Sequence, residues 1–103
     1  MKTPREGEIS VVAKKVMLNN REGLHVRPAG LFSNEMQKFL SDVWVCHKEA
    51  AVSGKSIMNL IAAGIQCGDE VEIRCSGPDE EEALSRAVEL IESGLGEAGG
   101  GRV

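Results

Sequence analysis

The chain has 103 residues, enough to bury one small core and too few for two. Hydrophobic residues make up 42% and the formal net charge is -4; the first argues against global disorder, the second against nucleic acid as the main partner, since that partner calls for a basic face. No apolar run reaches the length of a membrane span, and Met1 to Glu8 lacks the apolar segment of a signal peptide, so a cytoplasmic protein without membrane insertion is expected. Cys46, Cys67 and Cys75 are odd in number and show no C-x-x-C spacing, so neither a disulfide framework nor a metal site is expected, and no cofactor pattern is present.

Residues 1–9 are polar and carry Pro and Gly, and they read as a mobile extension. Ser10 to Leu18 is the first strand candidate. Its two parities, Val12/Lys14/Val16/Leu18 and Val11/Ala13/Lys15/Met17, alternate imperfectly, which suits a strand near the centre of a sheet. A turn-rich loop, Asn19 to Gly23, leads to a helix predicted from about Val26 to about Leu40. Its apolar face carries Ala29, Phe32, Met36, Phe39 and Leu40.

Val43 to His47 and Ala50 to Val52 predict two short strands around Lys48-Glu49, with Trp44 exposed if Val43 and Val45 point inward. His47 reads as a surface residue without a role. Ser56 is the candidate N-cap of a short helix that Gly64 stops. Glu70 to Cys75 alternates charged and apolar residues, so one face of the sheet meets water; Cys75, on the apolar parity, reads as a small buried hydrophobe. The last helix starts near Pro78 and runs to about Ser93. Asp79 to Glu82 complement the dipole at its start, and Ala83, Leu84, Ala87, Val88 and Ile91 form its apolar stripe. Residues 97–103 read as a mobile tail, which leaves 10–96 as the domain.

The order is β-α-β-β-α-β-α. It predicts an α+β fold in which a four-stranded antiparallel sheet is covered on one face by three helices.

The chemistry centres on Gly23-Leu24-His25-Val26-Arg27-Pro28-Ala29-Gly30. Pro28 fits a first helical turn, where its missing N–H is no loss. The free amides of that turn and the positive end of the helix dipole form an anion site beside His25. Neutral imidazole is a competent nucleophile near pH 7, so His25 is a candidate to accept a phosphoryl group and Arg27 to steady it.

Asn20 to Ala29 resembles the active-site signature of the histidine-containing phosphocarrier family, HPr, of the bacterial phosphotransferase system. Val26 stands where Ala is more usual. Gly54-Lys55-Ser56-Ile57-Met58-Asn59-Leu60 resembles the regulatory serine region of that family, at matching distance from His25, and Gly77 to Leu84 resembles the start of its last helix. The resemblance implies an open-faced β-sandwich. It implies a carrier rather than an enzyme, with His25 taking phosphate on Nδ1 from enzyme I and passing it to enzyme IIA components, in the service of sugar uptake. The backbone of Val26 and Arg27 would receive the phosphate oxygens. Ser56 would be the target of an HPr kinase/phosphorylase, and phosphoserine there would slow the charging of His25. Met58, with Ile57, Ile61 and Leu31 or Phe32, would form an apolar docking patch for successive partners. A carrier that visits partners in turn is expected to be a monomer.

Three other readings compete. One keeps the relay in a nitrogen-related or purely regulatory branch. Another is a regulatory binding protein that acts through Ser56 alone, against which the intact His25 argues. The third is a small metal or redox domain built on the cysteines.

Overall fold

A computed structural model describes residues 11–96. The expected extensions, 1–9 and 97–103, and the expected strand start at Ser10 lie outside the described residues. Seven elements follow in order: β1 (Val12–Met17), α1 (Val26–Met36), β2 (Asp42–His47), β3 (Ala50–Ser53), α2 (Ile57–Ala62), β4 (Glu70–Ser76) and α3 (Glu80–Glu92).

β4 alternates as its sequence requires. Val71, Ile73 and Cys75 point into the core, each at most 1% exposed, while Glu70 and Arg74 on the other parity face water. β4 holds the centre of the sheet with β2, and the spatial order is β1-β4-β2-β3, antiparallel throughout. In one cross-strand row, Ile73 stands opposite Val45, and Val45 opposite Val52. Trp44 lies on the uncovered face, as expected from the inward Val43 and Val45. The hairpin turn places Lys48 at φ 58°, a left-handed conformation that Asn or Gly would take with less strain.

The helices cover the other face. α3 lies over β1 and β4, while α2 packs on α1 and β3. Phe32, Met36, Leu60, Ile65 and Ile73 fill the core between the layers. Full burial of such side chains contributes about 1.5–3 kcal/mol each. Burial pushes the Cys75 thiol up to about 11, helped by the nearby Glu80 and Asp79 carboxylates, so this cysteine is an inert core residue.

Three expectations are corrected. β1 is an edge strand rather than a central one. Lys14 sits on its inward parity yet remains exposed, which only an edge allows, and such a charge also discourages a further strand from adding there.

Helix α1 ends at Met36, not near Leu40. The Lys38 and Phe39 amides turn back to Glu35 O and Met36 O at 3.2 and 3.1 Å, and the Leu40 and Ser41 amides donate to the Asp79 carboxylate at 2.9 Å each. Asp79 thus draws the chain out of the helix, and Leu40 is 79% exposed instead of packed.

His47 is not a surface residue. It is buried, and its Nε2 lies 3.0 Å from Asp69 Oδ2. Its parity, shared with Val43 and Val45, turns it toward the covered side of the sheet.

Candidate functional site

The loop before α1 is shaped by turn chemistry. The Asn20 side chain donates to Gly23 O at 2.6 Å, and the Gly23 amide donates to Asn20 O at 3.2 Å. Gly23 takes φ +69°, a conformation in which glycine is unstrained. Its backbone also lies against another loop: a Cβ there would be 2.6 Å from Ile65 O and 2.8 Å from Gln66 Cα. The Leu24 amide donates to Ile65 O at 3.0 Å. The segment that ends in His25 is therefore fastened on both sides.

His25 is the N-cap of α1. Its backbone is extended (φ -82°, ψ -171°), and its carbonyl accepts the Ala29 amide at 2.8 Å. Its side chain makes no capping bond and is exposed, so the imidazole is free. Pro28 is buried in the first turn and offers no N–H, which leaves the amides of Val26 and Arg27; neither finds a partner among the described residues. The first turn contains no acidic residue, so nothing in it offsets the positive end of the helix. Arg27 is exposed and forms no ion pair among the described residues. One helix turn thus gathers a free imidazole, two free amides and a free guanidinium, a combination suited to a dianionic oxygen cluster covalently attached to the ring.

Ser56 caps α2: its Oγ accepts the Asn59 amide at 3.2 Å and is half-buried. The neighbouring Lys55 is engaged elsewhere, its Nζ donating to Phe39 O at 2.7 Å, while Gln37 Nε2 donates to Lys55 O at 3.0 Å. These bonds tie the start of α2 to the end of α1.

The apolar residues expected around the site divide by exposure. Met58 is 71% exposed, while Leu31, Ile57 and Ile61 are half-buried. Phe32, the alternative to Leu31, is a core residue at 1%. Gly30 lets the two helices approach, since a Cβ there would stand 3.3 Å from Ile57 Cδ1. Val26 is 65% exposed beside His25, so its side chain as well as its backbone borders the site. Unforeseen were the bracing of Gly23 by Ile65 and Gln66 and the His47–Asp69 pair. An Asn three residues before a Gly signals the first part of that brace, but no local pattern signals a contact across more than forty residues.

Among the described residues no cluster of His, Cys, Asp and Glu is placed to hold a metal ion, and no helix is long and apolar enough to cross a membrane.

Comparison with known proteins gives one consistent result. The family described as "PTS HPr component phosphorylation site" matches residues 12–93. The phosphocarrier protein HPr of Treponema pallidum is 37% identical over 83 residues, covering 81% of this chain and 94% of that one. The HPr-like protein Crh of Bacillus subtilis is 37% identical over 82 residues, covering 80% and 96%. The crystal structure of HPr-C-His from Thermoanaerobacter tengcongensis superposes with a TM-score of 0.81 at 41% identity, covering 84% of this chain and 97% of that one.

Proposed function

Because this chain belongs to the HPr family of phosphocarrier proteins of the phosphotransferase system, we propose that His25 is its phosphoryl acceptor and that residues 10–96 form the carrier unit. The observation that carries this reading is the exposed, uncapped imidazole at a helix N-terminus whose first turn holds two free amides, Arg27 and no acid.

The neutral ring attacks through the Nδ1 lone pair while its proton stays on Nε2. An N–P bond forms, and the bond from phosphorus to the donor breaks with its electron pair leaving on the donor. The Val26 and Arg27 amides and the helix dipole favour the added charge by about 0.3–2 kcal/mol. Arg27 adds charge-assisted bonds to the phosphate oxygens and draws in acidic partner surfaces. Its side chain is free to swing away, so the group is steadied without being locked and passes on by the reverse reaction. The protein in this role is substrate and donor in turn rather than a catalyst.

The donor is enzyme I and the acceptors are enzyme IIA components, for sugar uptake. They dock in turn on Leu31, Ile57, Met58 and Ile61, whose mixture of a flexible exposed Met and half-buried aliphatics suits successive small interfaces. Ser56 is the regulatory site. A phosphate on its oxygen would add about -1.5 to -2 charges beside this docking surface and oppose acidic partners, while the dipole of α2 accepts the charge without unfolding. The likeness to an HPr-like protein, Crh, supports a regulatory branch as the second reading.

The test is incubation with phosphoenolpyruvate and enzyme I. An acid-labile, base-stable phosphate should appear on the parent and vanish in His25→Ala, and absence of label on a folded parent sinks the assignment. Charging of Ser56→Asp should be slowed about tenfold or more with the fold intact; a rate equal to the parent's removes the regulatory role of Ser56.

A further inference from the structure

His47 is the second histidine of the chain, and the phosphoryl transfer described above makes no use of it. It ends β2 with its side chain about nine-tenths buried, Nε2 lying 3.0 Å from Asp69 Oδ2. The same carboxylate oxygen accepts the Gln66 amide at 3.0 Å, and the Asp69 amide donates to Gln66 O at 3.0 Å. Residues 66–69 are thus a closed turn, held from the sheet side by the imidazole. The end of β1 holds it as well: the Gly68 amide donates to Leu18 O at 2.8 Å, and the Leu18 amide donates to Asp69 O at 2.9 Å.

The upstream end of this turn is the bed of the His25 loop. Ile65 O accepts the amide of Leu24, the residue before His25, at 3.0 Å. Gly23 lies so near that no side chain fits between it and the Ile65–Gln66 backbone. A shift of Gln66 therefore reaches Leu24 through one hydrogen bond and one close backbone contact. Neither His47 nor Asp69 forms a hydrogen bond or ion pair with His25.

We propose that His47 and Asp69 are positioning residues: their hydrogen bond fixes the Ile65–Gln66 backbone and, through it, the Leu24–His25 backbone in the geometry that phosphoryl transfer requires. The proposal rests on the phosphocarrier reading of His25. Its physical basis is the double duty of one carboxylate oxygen. An imidazole N–H bonded to a carboxylate is charge-assisted and directional, and that carboxylate orients the Gln66 amide. Without the imidazole donor the carboxylate is free to turn toward water and release the amide. The effect on transfer arises from geometry, since a small misplacement of the reacting atom slows transfer disproportionately.

Two substitutions separate positioning from plain stability. His47→Leu keeps bulk and removes the donor; His47→Gln keeps an N–H donor. Amide hydrogen exchange is followed at Leu24 and at Ile73, in the middle of β4, and the rate of phosphoryl uptake from phosphorylated enzyme I is measured over a range of carrier concentrations. In His47→Leu, exchange at Leu24 should rise about tenfold with a smaller rise at Ile73. The kcat of uptake should fall about threefold to tenfold with KM unchanged, because the docking surface is untouched. His47→Gln should recover most of both. Equal rises at Leu24 and Ile73, no recovery in His47→Gln, or no change in His47→Leu would each overturn the proposal. Exchange at Leu24 needs no phosphate chemistry, so a parent protein that takes no label defeats the carrier reading, and the exchange data still decide whether the pair holds the loop.

Discussion

Helices α1 and α3 begin under opposite electrostatic conditions. The first turn of α3 carries Glu80, Glu81 and Glu82, and its N-cap, Asp79, turns its carboxylate toward the Leu40 and Ser41 amides. Every charge there serves the fold, either by complementing the helix dipole or by fastening the α1–β2 connection to the start of α3. The first turn of α1 carries no acid, its cap makes no side-chain bond, and its only charged residue, Arg27, is exposed. The contrast shows where this small protein leaves stabilisation unrealised. The open helix end is the one that the proposed function assigns to phosphate, and the satisfied end is structural. α2 stands between them: its cap hydroxyl is satisfied by the Asn59 amide and remains half-exposed.

Three substitutions test this contrast, in descending order of their effect on transfer. Gly23→Ala forces a Cβ into the Ile65–Gln66 backbone from a left-handed conformation. It should cost about 1–3 kcal/mol in stability, read by denaturant unfolding. Charging of His25 should fall well beyond what the unfolded fraction explains, and an unchanged charging rate would show that the open helix end needs no brace. Val26→Glu gives α1 an acidic first turn like that of α3 at a position 65% exposed, so packing is spared. Thermal stability should hold or rise by about 0.3–1 kcal/mol, while phosphoryl uptake should slow about tenfold from repulsion of the incoming anion. Uptake at the parent rate would mean that the uncompensated dipole is irrelevant.

Asp79→Asn addresses the structural end. The Ser41 hydroxyl, then the Leu40 amide, hold the Asp79 carboxyl below its usual value. A carboxyl depressed in the folded state contributes stability that is fully present above the unfolded value, about 3.9, and is lost as pH falls through the lower folded value. The parent should therefore lose stability in acid below about pH 4. Asp79→Asn should be less stable at neutral pH, flatter across the acid range in thermal melts, and close to the parent in charging of His25. A charging defect larger than the stability change would tie the two helix ends together and break the comparison.

The alternation in β4, the Ser56 cap with Gly64 as stop, and the apolar stripe of α3 are local signals written every two to four residues. Element order and the inward and outward residues of β4 follow from them directly. His25, Arg27 and Pro28 likewise fall within four consecutive residues, so the open helix end is visible from spacing alone. The errors have a common cause. Leu40 falls on the apolar stripe of α1, yet a carboxylate thirty-nine positions away ends the helix before it. The composition of β1 suits a sheet centre, but strand order depends on which pairings the whole chain permits, and the edge is where an inward Lys14 can still reach water. His47 shares the inward parity of Val43 and Val45, but its partner, Asp69, lies on a loop two elements later.

By itself, then, the sequence determined the elements, the covered and uncovered faces of the sheet, and the chemistry gathered at one helix start, because each of these depends on neighbours within a turn or a strand. The tertiary structure alone decided where α1 stops, which strand lies at the edge, and what the His25 loop rests on. Those outcomes depend on single hydrogen bonds and close backbone contacts between residues far apart in the chain, and no local periodicity encodes them.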